Sequence, residues 1–278
     1  MNSEVDFSRD EHFQKLLARK PCSLTMINLE IARDAYPEID FARTLDWFED
    51  RRQELTGHFR GMHSEREQLE VLARSISMDH GVSGSEAAYR SADGSFLHRV
   101  IETGQGIPIS LSLLYMEVGE RLGLPFCGVS SPLHFLAMTE TATGPIFLDG
   151  YSGGRLLTED EAIDWLCDLT RLDRQQVERT LEPADDRTIV IRMLNNLRTL
   201  HAGNEDWQSA WIVQNRLVAI SPSSYPLRRD LALIAQKAQH SATAARLLKS
   251  LLNSCPDDER EFLTSQLEEA QRDIPRWN

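Results

Sequence analysis

The chain has 278 residues, 41% of them hydrophobic and 26% charged, with a formal net charge of −13 at neutral pH. That length holds one large domain or two ordinary ones, each able to bury a core. The acidity is concentrated in residues 1–185, with 32 acidic against 18 basic side chains, whereas 186–278 carry 11 against 12; a surface of that sign repels polynucleotides and anionic membranes, so nucleic acid is excluded as a direct partner.

Four cysteines, Cys22, Cys127, Cys167 and Cys255, form no C-x-x-C pair and no zinc spacing, so neither a metal nor another cofactor is expected. Their pattern suits free thiols in a reducing compartment. The N-terminal MNSEVDFSRDEHF lacks the basic segment and apolar core of a signal peptide. No apolar run approaches the roughly 20 residues that cross a bilayer. The expected location is cytoplasmic, away from membranes.

Taken in chain order, apolar positions at helical spacing predict helices over 26–36 and 42–55, with Pro37 breaking the first and Asp40 starting the second. Leu69, Leu72, Ala73 and Ile76 predict another over 65–77. His80, Gly81, Gly84 and Ser85 then mark a loop toward Tyr89. The first hundred residues or so therefore read as helical. Their histidines, at 12, 58, 63, 80 and 98, are scattered, and the closest pair, His58 and His63, lacks the spacing that puts two ligands on one helix face.

Residues 104–157 look most like a site. Pro108 suits the first turn of a helix over 108–122, whose buried stripe is Ile109, Leu113, Met116 and Leu122. Gly123 closes it and Pro125 prevents its continuation. A β-rich run follows through His134-Phe135-Leu136, and a second strand covers 146–149 after a turn. A hairpin centred near Thr141-Ala142 sets Met138 opposite Pro145 and His134 opposite Asp149, on one face and about 4.5–5.5 Å apart at Cβ. A helix start, a strand histidine and a next-strand aspartate follow the order of papain-like acyl-transfer sites. The same pair also reads as a buried, satisfied couple that does no chemistry. The run from Gly150 to Arg155 is a turn whose glycines permit close approach of a peptide or small ligand, and Arg155 could pair with a carboxylate there.

From about residue 186 an internal repeat sets in. Leu197, Ala210, Leu217 and Pro222 recur as Leu231, Ala244, Leu251 and Pro256, each displaced by 34 residues, the tetratricopeptide period. A helix over 259–271 would cap the stack. Such stacks commonly take a protein or peptide partner, and Arg192, Arg198, Arg216, Arg228 and Arg229 are its candidate groove cations, with Arg216, Arg228 and Arg229 as the main contributors.

The stretches INLEIARDAYPEIDFARTLDWF, GIPISLSLLYMEVGERLGLP, PLHFLAM and FLDGYSGGRLL resemble the SirB1 family, whose members carry a transglutaminase-like domain. The resemblance spans nearly the whole chain. It implies a helix-rich α+β architecture: a transglutaminase-like, papain-like domain over 1–185, helical over its first hundred residues, then a tetratricopeptide-like helical domain over 186–278. In the wider superfamily the catalytic cysteine stands about 15 residues before the glycine equivalent to Gly123. Here that position is Pro108, its neighbours are Ile109 and Ser110, and no thiol is present. The resemblance thus implies a retained His134 and Asp149 without the parent nucleophile. The preferred reading is a non-enzymatic or regulatory interaction protein. The alternative is an amide or ester hydrolase, or an acyltransferase, using Ser110 or Cys127 with His134 and Asp149; the plainer readings are that Ser110 and Ser112 let the helix pack closely and that Cys127 is a small buried hydrophobe.

Overall fold

The computed structural model describes residues 11–20 and 22–274, so most of the N-terminal segment read for a signal peptide lies outside the described residues. The chain divides into two compact units. One comprises residues 16–193, and the other gathers 194–274 with 11–15. The split read from composition and repeat, near residue 185, falls earlier. A single helix, α9 (Asp186–Gly203), runs through the dividing point, and no compositional break marks it.

After α1 (Glu11–Ala18), the helices of the first unit are set by their caps. The Ser23 hydroxyl accepts from Met26 N at the start of α2 (Leu24–Ala32), the Asp40 carboxylate from Ala42 N at the start of α3 (Phe41–Phe59), and Ser64 from Glu67 N at the start of α4 (Glu65–Arg74). The helix expected over 26–36 closes at Ala32. Asp34 and Ala35 donate to carbonyls three residues back, tightening the chain ahead of Pro37. The helix expected to end at 77 passes at Ser75–Asp79 into a wider π turn.

A short parallel pairing of β1 (Ser83–Gly84) with β2 (Gln105–Gly106) flanks α5 (Leu97–Thr103). Next comes α6 (Pro108–Arg121), buried continuously from Pro108 to Tyr115. A helix apolar on every side belongs at the centre of a unit. The sheet is an antiparallel meander of β3 (Cys127–Val129), β4 (Leu136–Thr141), β5 (Gly144–Asp149) and β6 (Arg155–Thr158). Leu136, Met138, Phe147 and Leu157 pack with Ile163 and Leu166 of α7 (Glu159–Thr170) and Val177 of α8 (Arg174–Glu178).

The other unit stacks the second half of α9 with α10 (Trp207–Ile220), α11 (Tyr225–Lys237), α12 (Ser241–Leu251) and α13 (Asp257–Arg272). Six of the eight positions recurring at 34 residues are in its core, Leu197, Ala210, Leu217, Leu231, Ala244 and Leu251, while Pro222 and Pro256 are exposed between helices.

One buried side chain ties the segment before the site to the helical layer. Asn28, 2% exposed, donates from Nδ2 to Ser95 O at 2.9 Å and accepts from Leu97 N at 2.8 Å. Asn28→Ala leaves both main-chain groups without a partner and is expected to cost about 2–4 kcal/mol. Urea denaturation followed by circular dichroism checks this; an unchanged midpoint contradicts it.

Candidate functional site

His134 and Asp149 meet, through a register different from the one expected. Thr141 lies opposite Gly144, Met138 opposite Phe147 and Ala137 opposite Leu148. The hairpin turns over Ala142-Thr143, two positions off the expected pairing. A two-residue shift preserves the side-chain face, so the two residues become diagonal neighbours instead of direct ones. His134 also sits two residues ahead of β4, after a tight turn in which Leu133 takes a left-handed φ of +62° and His134 N donates to Ser131 O. From there its Nε2–H donates to Asp149 Oδ1 at 2.8 Å. Both residues are buried, Asp149 completely.

The same Oδ1 accepts from Tyr151 N at 3.0 Å and Ser152 N at 3.3 Å, so the carboxylate also folds the turn after β5. Burial on its own raises this carboxyl, but the His134 hydrogen bond and charge, with the Ser152 contacts, outweigh it and hold it below the ordinary carboxylate range. The sequence pointed to Gly150 and Gly154 as room for a ligand; the structure instead fills that space with the helices, which the two glycines let the turn approach. A Cβ on Gly150 would stand 3.1 Å from Leu111 and Tyr115 side-chain atoms of α6, and one on Gly154, at φ +78°, 2.7 Å from the Tyr115 hydroxyl.

Ser110 is completely buried in the first turn of α6, where its hydroxyl donates to Gly94 O at 2.6 Å and accepts from Ile107 N at 3.2 Å. Ser112 donates to Phe135 O at 3.1 Å and so fixes the chain beside His134. Cys127 is exposed instead of buried, and pairs with Met138 at the end of the sheet. Met138 is four residues from His134, roughly 13 Å along an extended chain. Among the described residues, no hydrogen bond joins His134 to Ser110 or Cys127.

What surrounds His134 is aromatic. Its ring centroid lies 4.8 Å from Trp165 of α7 and 6.1 Å from Tyr151, both edge-on, and Tyr151 lies 5.9 Å from Tyr89. Burial and then the Glu86 and Asp149 charges raise the Tyr151 hydroxyl, which stays protonated at neutral pH. Trp165 and Tyr89 escaped sequence reasoning. Trp165 had one available signal, the Thr158/Glu161 capping box that places it on a helix directly after β6.

The arginines separate sharply. Arg155 is exposed at the start of β6. Arg216 is no groove cation: it is 2% exposed, with its guanidinium 4.6 Å from the Phe13 ring of α1. Arg229 is held by Glu259 at 2.7 Å and Asp230 at 3.3 Å, and Arg198 by Asp230 at 3.3 Å. Arg228 is half-buried and makes no ion pair among the described residues. No cluster of three metal-ligating side chains occurs among the described residues.

Residues 42–195 match the family model described as the transglutaminase-like superfamily, and 197–268 that of the tetratricopeptide repeat. The chain is 31% identical to a UPF0162 protein of Xylella fastidiosa over 82% of both chains. It is 25% identical to the protein SirB1 of Salmonella typhimurium, over 70% of this chain and 72% of that one. It is 26% identical to the UPF0162 protein YchA of Escherichia coli K12, over 69% and 71%. No solved structure matches significantly.

A carboxyl held below its unfolded value contributes stability that is full above the unfolded pKa of about 3.9 and is lost as pH falls through the folded value. The stability difference between the wild type and Asp149→Asn should therefore be widest near neutrality and close below about pH 4. Urea titrations at a series of pH values check it; a difference independent of pH contradicts it.

Proposed function

We propose a role for a chain that belongs to the SirB1 family of the transglutaminase-like superfamily: a non-catalytic, regulatory protein-interaction module built on a transglutaminase-like fold without the superfamily's thiol. The observation that carries this reading is the state of Ser110. It is the nucleophilic residue type at the start of α6, and its hydroxyl is engaged on both sides by main chain, with Gly94 O and Ile107 N. A serine acts as a nucleophile when a base accepts its proton, and here a buried carbonyl accepts it. The competing hydrolase or acyltransferase reading requires Ser110 to leave that carbonyl, or Cys127 to cross the sheet.

On this reading His134 and Asp149 are a clasp that holds the turn after β5 and the approach to β4 in one geometry. The partner is a protein or a peptide. Tetratricopeptide repeats are protein-interaction folds in general, and residues 197–268 match that family. Of the three arginines expected to contribute from the repeats, Arg228 keeps its charge available. Four free cysteines support a cytoplasmic setting, and among the described residues no helix is long and apolar enough to cross a membrane.

A fluorophosphonate and an iodoacetamide probe test the absence of catalysis. The expected result is that neither Ser110 nor Cys127 of the folded chain reacts faster than in the unfolded chain. Rapid labelling of either residue that disappears in His134→Ala would establish the hydrolase class instead.

A further inference from the structure

Buried or half-buried cations of the first unit are, with one exception, matched to an acid. In the cavity of about 520 Å³ lined by Thr25, Leu113, Glu117, Arg121 and Phe126, Arg121 is engaged by Glu117 at 2.7 Å and Glu49 at 3.7 Å. In the cavity of about 460 Å³ lined by Tyr36, Arg43, His98, Arg99 and Glu102, Arg43 pairs with Glu102, and Arg99 with Glu102 and Asp93. Arg192 is the exception: among the described residues of this unit it is the half-buried arginine without an ion pair.

Its position gives that isolation a use. Ala184 N donates to Gly128 O, and Val129 bridges Pro183, which brings the start of α9 beside β3. One turn before Arg192 and on the same helical face, Ile189 reaches the place where a Gly128 Cβ would stand, which the Phe135 ring also approaches. Arg192 thus lies alongside the segment that carries His134. Burial disfavours its charged form, and it lies within electrostatic reach of Tyr89. Tyr89 is the outer end of the ring row that runs through Tyr151 and His134 to Trp165. Tyr89 is 49% exposed, and Leu133, next to His134, is 68% exposed. Successive rings of the row are separated by centroid steps of 5.9, 6.1 and 4.8 Å.

A half-desolvated guanidinium cannot shed its proton, so its cost is relieved by an anion with fork geometry, which a carboxylate supplies. Exposed aromatic and leucine surface beside it accepts apolar side chains. The unit's strong negative charge turns away polyanions, leaving a single acidic group as the ligand anion that fits. We propose that the accessible edge of this ring row, formed by Tyr89 and Tyr151 with Leu133 and with Arg192 at the Tyr89 end, binds an extended peptide whose apolar residues lie on that edge and whose one carboxylate pairs with Arg192. This rests on the non-catalytic reading of the same site, and it names the ligand class that site takes.

The test uses the full chain and two fluorescein-labelled pentapeptide amides, Gly-Leu-Phe-Phe-Glu and the same sequence ending in Gln, followed by fluorescence anisotropy. The expected result is that the Glu peptide binds at least about tenfold tighter than the Gln peptide. Arg192→Gln should abolish that preference and Arg192→Lys retain part of it, while Tyr89→Ala should weaken both peptides; circular dichroism establishes that each variant is folded. Equal binding of the two peptides, absence of binding by both, or a preference that survives Arg192→Gln overturns the proposal. Mass spectrometry of the recovered peptides separates the two readings: a cleaved Glu peptide whose preference still depends on Arg192 supports this carboxylate site while refuting the non-catalytic role.

Discussion

A carboxylate with no exposure to water organises this molecule's central feature. Removing an ion from solvent costs several kcal/mol unless hydrogen bonds replace the lost hydration. Asp149 meets part of that demand by drawing three donors to Oδ1, the His134 ring, Tyr151 N and Ser152 N, while its buried Oδ2 has no hydrogen-bond partner among the described residues. The donors come from two pieces of the architecture. The ring fixes the approach to β4, and the two amides fold the turn that leads to β6. Because that turn is pulled in, Gly150 and Gly154 come to lie against Leu111, Tyr115 and Ala73, where a Cβ on Gly154 would collide and one on Gly150 would be tight. The aromatic row follows from the same constraint, since Tyr151 is inside the turn and Trp165 closes over the His134 ring.

The helix that would carry a nucleophile has been fitted into this arrangement as a structural element. Its serines point to carbonyl groups: Ser110 to Gly94 on one side, Ser112 to Phe135 on the other. Each bond engages a buried main-chain oxygen, Gly94 O also accepting from Ile107 N at 3.1 Å, and each would be lost if the hydroxyl turned toward a substrate. The Gly94 segment is in turn fastened to α2 through Asn28. On the proposed non-catalytic reading, these elements are kept because they need one another for packing.

Much of this was legible in the sequence, for local reasons. Asp40 announces a helix start, Gly123 and Pro125 a helix end, and six of the eight side chains in the 34-residue recurrence are buried in the structure, all but the two prolines. The partnership of His134 with Asp149 was legible as well, because moving the turn by one residue shifts the pairing by two, which the period of two along strands tolerates. The error itself arose at the tip. Thr141-Ala142 and Ala142-Thr143 are equally polar as turn centres, and the choice is made by Gly144, at φ +113°, and by Glu65, which accepts from Ala142 N. Contacts between distant parts of the chain were not legible. Arg216 read as a groove cation because nothing near it in sequence shows that Phe13 covers it. Arg192 read as one more arginine of the repeats, since its neighbour Tyr89 lies about a hundred positions earlier.

The account stands on the claim that His134 and Asp149 hold the site together as a pair. A double-mutant cycle of His134→Ala and Asp149→Asn, read from urea denaturation near neutral pH, measures that claim most directly. The account predicts a coupling free energy of about 1.5–3 kcal/mol, the range for a buried hydrogen bond to a charged group. A coupling below about 0.5 kcal/mol, with the two substitutions simply additive, would contradict it.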